Sequence, residues 1–178
     1  MGKKIVYVDM DNVLVDFRSA LPFVPAEVQK EYAGHLDDVP GIFSLMKPMP
    51  GAQVAFTDFA DLFDTYIRGT APWDNPTAWS DKLAWVKTFL GKPACKRLIL
   101  THHKDLNRGD FLIDDRTRHG VDIFTGERLH FGMQRFPDWP AVMAYLRPLA
   151  VRTKGRARKR RDARALAERR TRPPSRVS

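Results

Sequence analysis

Six residues of this chain have the types and the placement to do chemistry on an anion: Asp9, Asp11, Thr70, Lys104, Asp114 and Asp115. Asp9 and Asp11 close the apolar run Ile5, Val6, Tyr7, Val8. Asp114 and Asp115 close a second one, Phe111, Leu112, Ile113. Carboxylates from two such runs make a compact, oxygen-rich pocket. A hard cation such as Mg²⁺ suits it, because that ion takes one or two carboxylates together with a carbonyl, waters and a phosphate oxygen. Without a cation, clustered acids repel one another and raise each other's pKa. The same pocket needs donors for a phosphate. Lys104 supplies a point charge, and the Thr70 hydroxyl with the backbone N–H groups around Ala71 supplies hydrogen bonds.

Residues so scattered in the sequence meet only if the fold gathers them. A short strand that is apolar on both faces belongs inside an open parallel sheet covered by helices, and ligands of such sheets bind beyond the carboxyl ends of the strands. "KIVYV", "FDTYIRG", "KRLILTHH" and "DFLIDD" read as four strands, and "RLHFG" as a short fifth. Helical spacing over 51–62 puts Val54, Phe56, Phe59, Ala60 and Leu62 on a buried face. In "NPTAWSDKLAWVKTFLG" the buried side reads as Trp79, Leu83, Val86, Phe89 and Leu90, with Gly91 ending the helix. "DWPAVMAYLRPL" reads as a closing helix. Residues 18–50, broken by prolines and Gly41, read as one or two short helices without a strand pattern, a small helical cap inserted after the first strand. The whole is an α/β pattern with no internal repeat. Asp16 reads as a capping or turn acid. His102 and His103 point opposite ways on a strand and do not form a joint metal site.

Bulk composition narrows the classes. A chain of 178 residues suffices for one domain with a core. Its single cysteine, Cys95, cannot form an internal disulfide, which fits a reducing cytoplasm and a structural or surface thiol. No apolar run reaches the length of a membrane span. The net charge of +9 is unevenly placed: residues 147–178 hold 13 Lys/Arg against Asp162 and Glu168, so residues 1–146 are close to neutral. That tail has almost no large apolar residues and no aromatics, and reads as a solvated, mostly disordered extension over 151–178. A nucleic-acid or other anionic partner is the competing reading for it.

Taken in order, "DMDNVLVDF", the strand ending in Thr70, Lys104 and "FLIDDR" resemble the four motifs of the haloacid-dehalogenase-like phosphatases. More narrowly, "DMDNVLVDF", "TAPWDNPTAWSDKLAWV" and "LILTHHKDLNRGDFLIDDR" resemble the 5′(3′)-deoxyribonucleotidase family, over about residues 4–146. The resemblance implies a Rossmannoid parallel sheet and a Mg²⁺-dependent 5′-nucleotidase acting on (deoxy)nucleoside monophosphates. It implies Asp9 as nucleophile and as metal ligand. Asp11 would be acid and base, with its main-chain carbonyl on the metal. Thr70, Ala71 and Lys104 would hold the phosphoryl group, and Asp114 and Asp115 would complete the metal site. Phe17 and Phe43 fall where the family stacks the base, and Trp73 lies close enough to border the pocket. The family also includes homodimers, on which these residues are silent. Two positions depart from the pattern. Asn12 replaces a usual glycine, a change that left-handed backbone geometry tolerates, and Arg68 stands where the strand is normally apolar. Within the superfamily, another small phosphate ester is the alternative substrate.

Overall fold

The computed structural model describes residues 2–116 and 123–150. The tail expected over 151–178 lies outside the described residues. The strands are β1 (Ile5–Val8), β2 (Val15–Asp16), β3 (Lys47–Pro48), β4 (Asp64–Gly69), β5 (Leu98–Leu100), β6 (Phe111–Asp114) and β7 (Glu127–His130). The helices are α1 (Ala26–Glu31), α2 (Ala52–Leu62) and α3 (Ala78–Phe89), with α4 over 139–150. Among the described residues five strands form one sheet in the order β5-β4-β1-β6-β7, each pair parallel. This is the α/β architecture with a Rossmann-like parallel sheet that the strand patterns predict. From central β1 the chain steps out to β4 and β5, then crosses back to β6 and β7. Neighbouring strands thus leave β1 in opposite directions, and a crevice opens at its carboxyl end.

β1 alternates between two apolar environments. Val6 and Val8 face the main core, with Phe56 and Phe59 of α2, Phe111 and Ile113, and Trp139 of α4. Tyr7 faces a smaller cluster with Leu112 and Phe124. Gly51, at φ 82°, starts α2 in the left-handed region, and a Cβ there would meet the Trp139 Cβ at 3.3 Å. Asp138 caps α4, its Oδ1 accepting from the Ala141 N–H at 3.0 Å.

Two helix faces differ from the periodicity reading. On α2 the buried residues are Ala52, Ala55, Phe56 and Phe59, while Val54 is 67% exposed. On α3 they are Ala78, Lys82, Trp85 and Val86, while Trp79 and Leu83 are exposed. On α2 the reading holds at Phe56 and Phe59, with Ala52 and Ala55 buried in place of Val54; on α3 it holds at Val86 and Leu90, while Trp79 and Leu83 give way to Ala78, Lys82 and Trp85. The cap region also contains pairing that the sequence did not signal. β2 and β3 form a two-residue antiparallel ribbon, Val15 opposite Pro48, too short to leave an alternating pattern. Between them run 3-10 turns at Phe17–Phe23, Leu36–Asp38 and Ile42–Leu45, and α1. Asp16 caps the first turn, accepting from the Arg18 N–H at 3.0 Å.

The cap is tied to the core by polar bonds. The Asn75 amide donates to the carbonyls of Asp37 and Val39, each at 2.9 Å, and the Trp85 indole donates to the Met46 carbonyl at 3.0 Å. On the other side of the ribbon, the indole of fully buried Trp139 donates to the Val13 carbonyl at 3.0 Å, fixing the turn that follows β1. Trp139→Phe leaves that carbonyl without its buried partner. A loss of about 1–3 kcal/mol in urea unfolding is expected; an unchanged midpoint would show that the bond contributes nothing.

Candidate functional site

The segment after β1 reverses at once. The Met10 carbonyl accepts from the N–H groups of Leu14 and Val15, both at 2.9 Å, and Asn12 sits at φ 56°. Asparagine tolerates that left-handed geometry, which resolves its departure at a position usually held by glycine. The tight turn leaves both Asp9 and Asp11 at the carboxyl end of the sheet. The Asp9 N–H donates to the Ile113 carbonyl at 2.8 Å, binding this end to β6. On the β4 side the chain must approach closely: a Cβ on Gly69 would lie 3.2 Å from the Met10 Cβ.

The side chains converge. Lys104, on the 3-10 turn Lys104–Leu106 after β5, places its Nζ 2.7 Å from Asp9 Oδ1 and 3.0 Å from Asp114 Oδ2. All three are buried. Burial opposes the charge on Lys104, but the carboxylates of Asp9 and Asp114 outweigh it and hold its pKa above the ordinary lysine value. Burial also pushes the Asp9 carboxyl up to about 7, with Lys104 pulling the other way and Asp114 and Asp11 adding to the rise. Asp115 is raised too, chiefly by burial, against its bond from the Asn12 amide at 3.2 Å. The Thr70 hydroxyl donates to the Thr101 carbonyl at 3.0 Å, tying the ends of β4 and β5.

A divalent cation fits the acids present. Carboxylate oxygens of Asp9, Asp114 and Asp115 lie within 4.8 Å of one another, an all-oxygen donor set suited to a hard ion. Asp115 Oδ1 is buried with no hydrogen-bond partner. The Asp11 carboxylate is not in that cluster, and the expectation for Asp11 rests on its main-chain carbonyl.

Above these groups opens a cavity of about 490 Å³. Asp9, Asp11, Thr70 and Lys104 line its inner end, and Phe17, Leu36 and Asp37 of the cap line one wall. Trp73, 83% exposed, stands with His102 at the opposite wall, their rings 5.9 Å apart. Four of the expected residues are not on the cavity surface; Asp114 and Asp115 lie beneath it, against Lys104 and Asn12. Phe43 is buried and packs edge-on to Phe17 at 6.4 Å; Ala71 is buried in the core.

Three residues with a place in this geometry escaped the sequence reading or were left open by it. Lys82, fully buried on α3, donates to both oxygens of Asp11 at 2.7 and 2.6 Å, and its ammonium lies 4.1 Å from the centre of the Phe43 ring. The signal for it is a lysine on the apolar stripe of a helix, hidden when Trp79 and Leu83 are taken as that stripe. Arg68 turns into the interior, and its Nη1 donates to the Lys104 carbonyl at 2.9 Å. His130, which gave no signal, has its Nε2 2.9 Å from the Asp115 carbonyl.

Known proteins share this arrangement of sequence. A family model described as 5′ nucleotidase, deoxy (Pyrimidine), cytosolic type C protein matches residues 22–136. A protein of Vibrio phage KVP40 named "Putative 5′(3′)-deoxyribonucleotidase" is 56% identical over 144 residues, 81% of this chain and 85% of its own. One of the same name from Staphylococcus aureus is 32% identical over 152 residues, 74% and 83% of the two chains. A human protein named "5′(3′)-deoxyribonucleotidase, cytosolic type" is 31% identical over 167 residues, 78% of each.

The raised carboxyl of Asp9 makes stability of the cation-free protein depend on pH. A carboxyl that binds its proton more tightly folded than unfolded favours folding at low pH, and that advantage fades as pH rises from about 4 to about 7. Asp9→Asn removes the penalty. In thermal melts with chelator, the variant is expected to gain on the wild type between pH 5 and pH 8. A constant gap would refute the assignment.

Proposed function

The chain belongs to the 5′ nucleotidase, deoxy (pyrimidine), cytosolic type C family, and from that premise we propose that it is a Mg²⁺-dependent 5′-nucleotidase. It hydrolyses (deoxy)ribonucleoside monophosphates to nucleoside and phosphate through an aspartyl phosphate on Asp9. The observation that carries the reading is the buried contact of Lys104 Nζ with Asp9 Oδ1 at 2.7 Å, at the inner end of a cavity walled by Phe17 and Trp73. A nucleophilic carboxylate and a cation for the phosphoryl oxygens stand together there, with aromatic surface for a base above them.

The side chains divide the work. An Asp9 oxygen attacks phosphorus, the P–O bond to the sugar breaks, and the leaving oxygen takes a proton from Asp11. A water then attacks the aspartyl phosphate, giving its proton to Asp11; the P–O bond to Asp9 breaks and phosphate departs. Splitting the hydrolysis this way replaces one slow displacement by two easier ones. Lys104, which holds Asp9, lines the cavity that a phosphoryl group would enter, and Lys82 holds Asp11 from just beneath it. Transfer of Lys82 from the Asp11 carboxylate to a phosphoryl oxygen frees Asp11 to carry its proton. Thr70 adds its hydroxyl to the same oxygens. Asp9, Asp114 and Asp115 would hold the divalent cation, whose chemistry is to neutralise developing charge on the phosphoryl oxygens. Phe17 and Trp73 would flank the base. The name of the human relative supports a cytoplasmic location, and no helix among the described residues is long and apolar enough to cross a membrane.

An initial-rate screen over nucleoside monophosphates and other phosphomonoesters, with and without Mg²⁺, tests the proposal. Turnover of dUMP and dTMP that needs the cation is expected. Sugar phosphates turned over as fast or faster would defeat the nucleotide assignment in favour of another small ester. Asp9→Asn is expected to abolish turnover in a folded protein, whereas appreciable residual hydrolysis would contradict the covalent route. Asp11→Asn is expected to lower kcat by about 10²–10⁴-fold, the range of a lost proton-transfer group.

A further inference from the structure

Among the described residues Arg68 is the one buried charged side chain that the chemistry above does not use, and its surroundings are costly. It lies on β4 between Ile67, which pairs with Val8 of β1, and Gly69, so it is level with Asp9. Its side chain leaves the sheet on the face of Tyr7 and Tyr66, does not line the cavity, and is 0% exposed. The guanidinium lies 5.3 Å from the centre of the Tyr7 ring and 5.6 Å from that of Phe124. It makes one hydrogen bond, from Nη1 to the Lys104 carbonyl at 2.9 Å. Nη2 stands 4.0 Å from Asp114 Oδ2 without bonding it, and Nε and Nη2 have no partner.

A buried charge satisfied this poorly stabilises the fold little beyond what its distant pairing with Asp114 gives. Its single strong contact is to the backbone of the residue whose side chain touches Asp9 and Asp114. Besides the ion pairs of Lys104 itself, the turn Lys104–Leu106 is held by local bonds: the Leu106 N–H to the His103 carbonyl at 3.2 Å, the Asn107 N–H to the Lys104 carbonyl at 3.3 Å and the His103 N–H to Thr101 Oγ1 at 3.0 Å, while Asp105 and Leu106 are exposed.

We propose that Arg68 is a positioning residue that acts from beneath the cavity: by holding the Lys104 carbonyl it fixes the turn that aims the Lys104 ammonium at the anion site. The aromatic pair Tyr7 and Phe124 serves as its cradle, attracting the guanidinium through the ring faces where no carboxylate bonds it. This rests on the reading of the site as one that binds a phosphoryl group.

The test is calorimetric binding of inorganic phosphate to the full-length protein in the presence of Mg²⁺, with thermal melts alongside. Arg68→Met keeps an unbranched stem between the two rings and removes the guanidinium. It is expected to weaken phosphate binding by about ten- to a hundredfold, with the protein still folded and melting cooperatively. Combined with Lys104→Met, it should add almost nothing, because its effect passes through Lys104. Should Arg68→Met fail to fold, Arg68→Lys, which keeps the charge but loses the planar fork, carries the test with an intermediate loss expected. Phosphate affinity unchanged in Arg68→Met, or in Arg68→Lys where that variant carries the test, overturns the inference. So does the full loss recurring on top of Lys104→Met. A wild-type protein that binds no phosphate and hydrolyses no nucleotide overturns the reading of the site itself, and the inference with it.

Discussion

The ammonium of Lys104 between Asp9 and Asp114 is the contact on which the arrangement of this protein turns. A parallel sheet that steps both ways from its central strand brings several strand ends into one crevice, and here three of those ends carry acids or stand beside them. Buried carboxylates of like charge cannot share such a space unless something offsets them. Lys104 offsets two of them, Lys82 offsets Asp11, and Arg68 stands 4.0 Å from Asp114. Asp115 retains an unsatisfied oxygen. The site is thus close to balanced by its own side chains, with a remainder that favours a further cation when a phosphate arrives.

Each balancing cation comes from a different element. Lys104 follows the edge strand β5, Lys82 belongs to α3, and Arg68 belongs to β4. The acids come from β1 and β6. Lys104 and Asp114 are ten residues apart, but Asp9 and Asp11 meet their lysines across 95 and 71 residues, so most of these contacts are made by the tertiary fold. That dependence explains the care with which the strand ends are joined. The Asp9 N–H bonds the Ile113 carbonyl, the Thr70 hydroxyl bonds the Thr101 carbonyl, and Gly69 permits β4 to abut Met10.

What could be read from the sequence follows the same division. Strands buried on both faces announce themselves as continuous apolar runs, and acids that end such runs stand out; β1, β4, β5, β6 and β7 and the acidic groups were all legible. Asn12 was legible because its backbone need is local. Lys82 was not, since the helical stripe on α3 was placed one residue away, on Trp79 and Leu83. Periodicity assigns the larger apolar residues to the core, whereas packing at this sheet selects Ala78, Trp85 and Val86 and leaves room for a lysine stem. Val54 on α2 misleads for the same reason. Phe43 shows a further limit: an aromatic near a pocket can serve as the support behind the residue that lines it. The ribbon of β2 and β3 is two residues long, and its pairing depends on what stands opposite rather than on any pattern within either strand.

That ribbon has a bearing on motion. Both entrances to the segment over the cavity are paired to each other at its base, and Asn75 and Trp85 stitch its far side to the body of the protein. A segment fastened along two edges is restrained from moving as a free flap, and Trp73 and His102, which line the cavity from outside that segment, complete its surround.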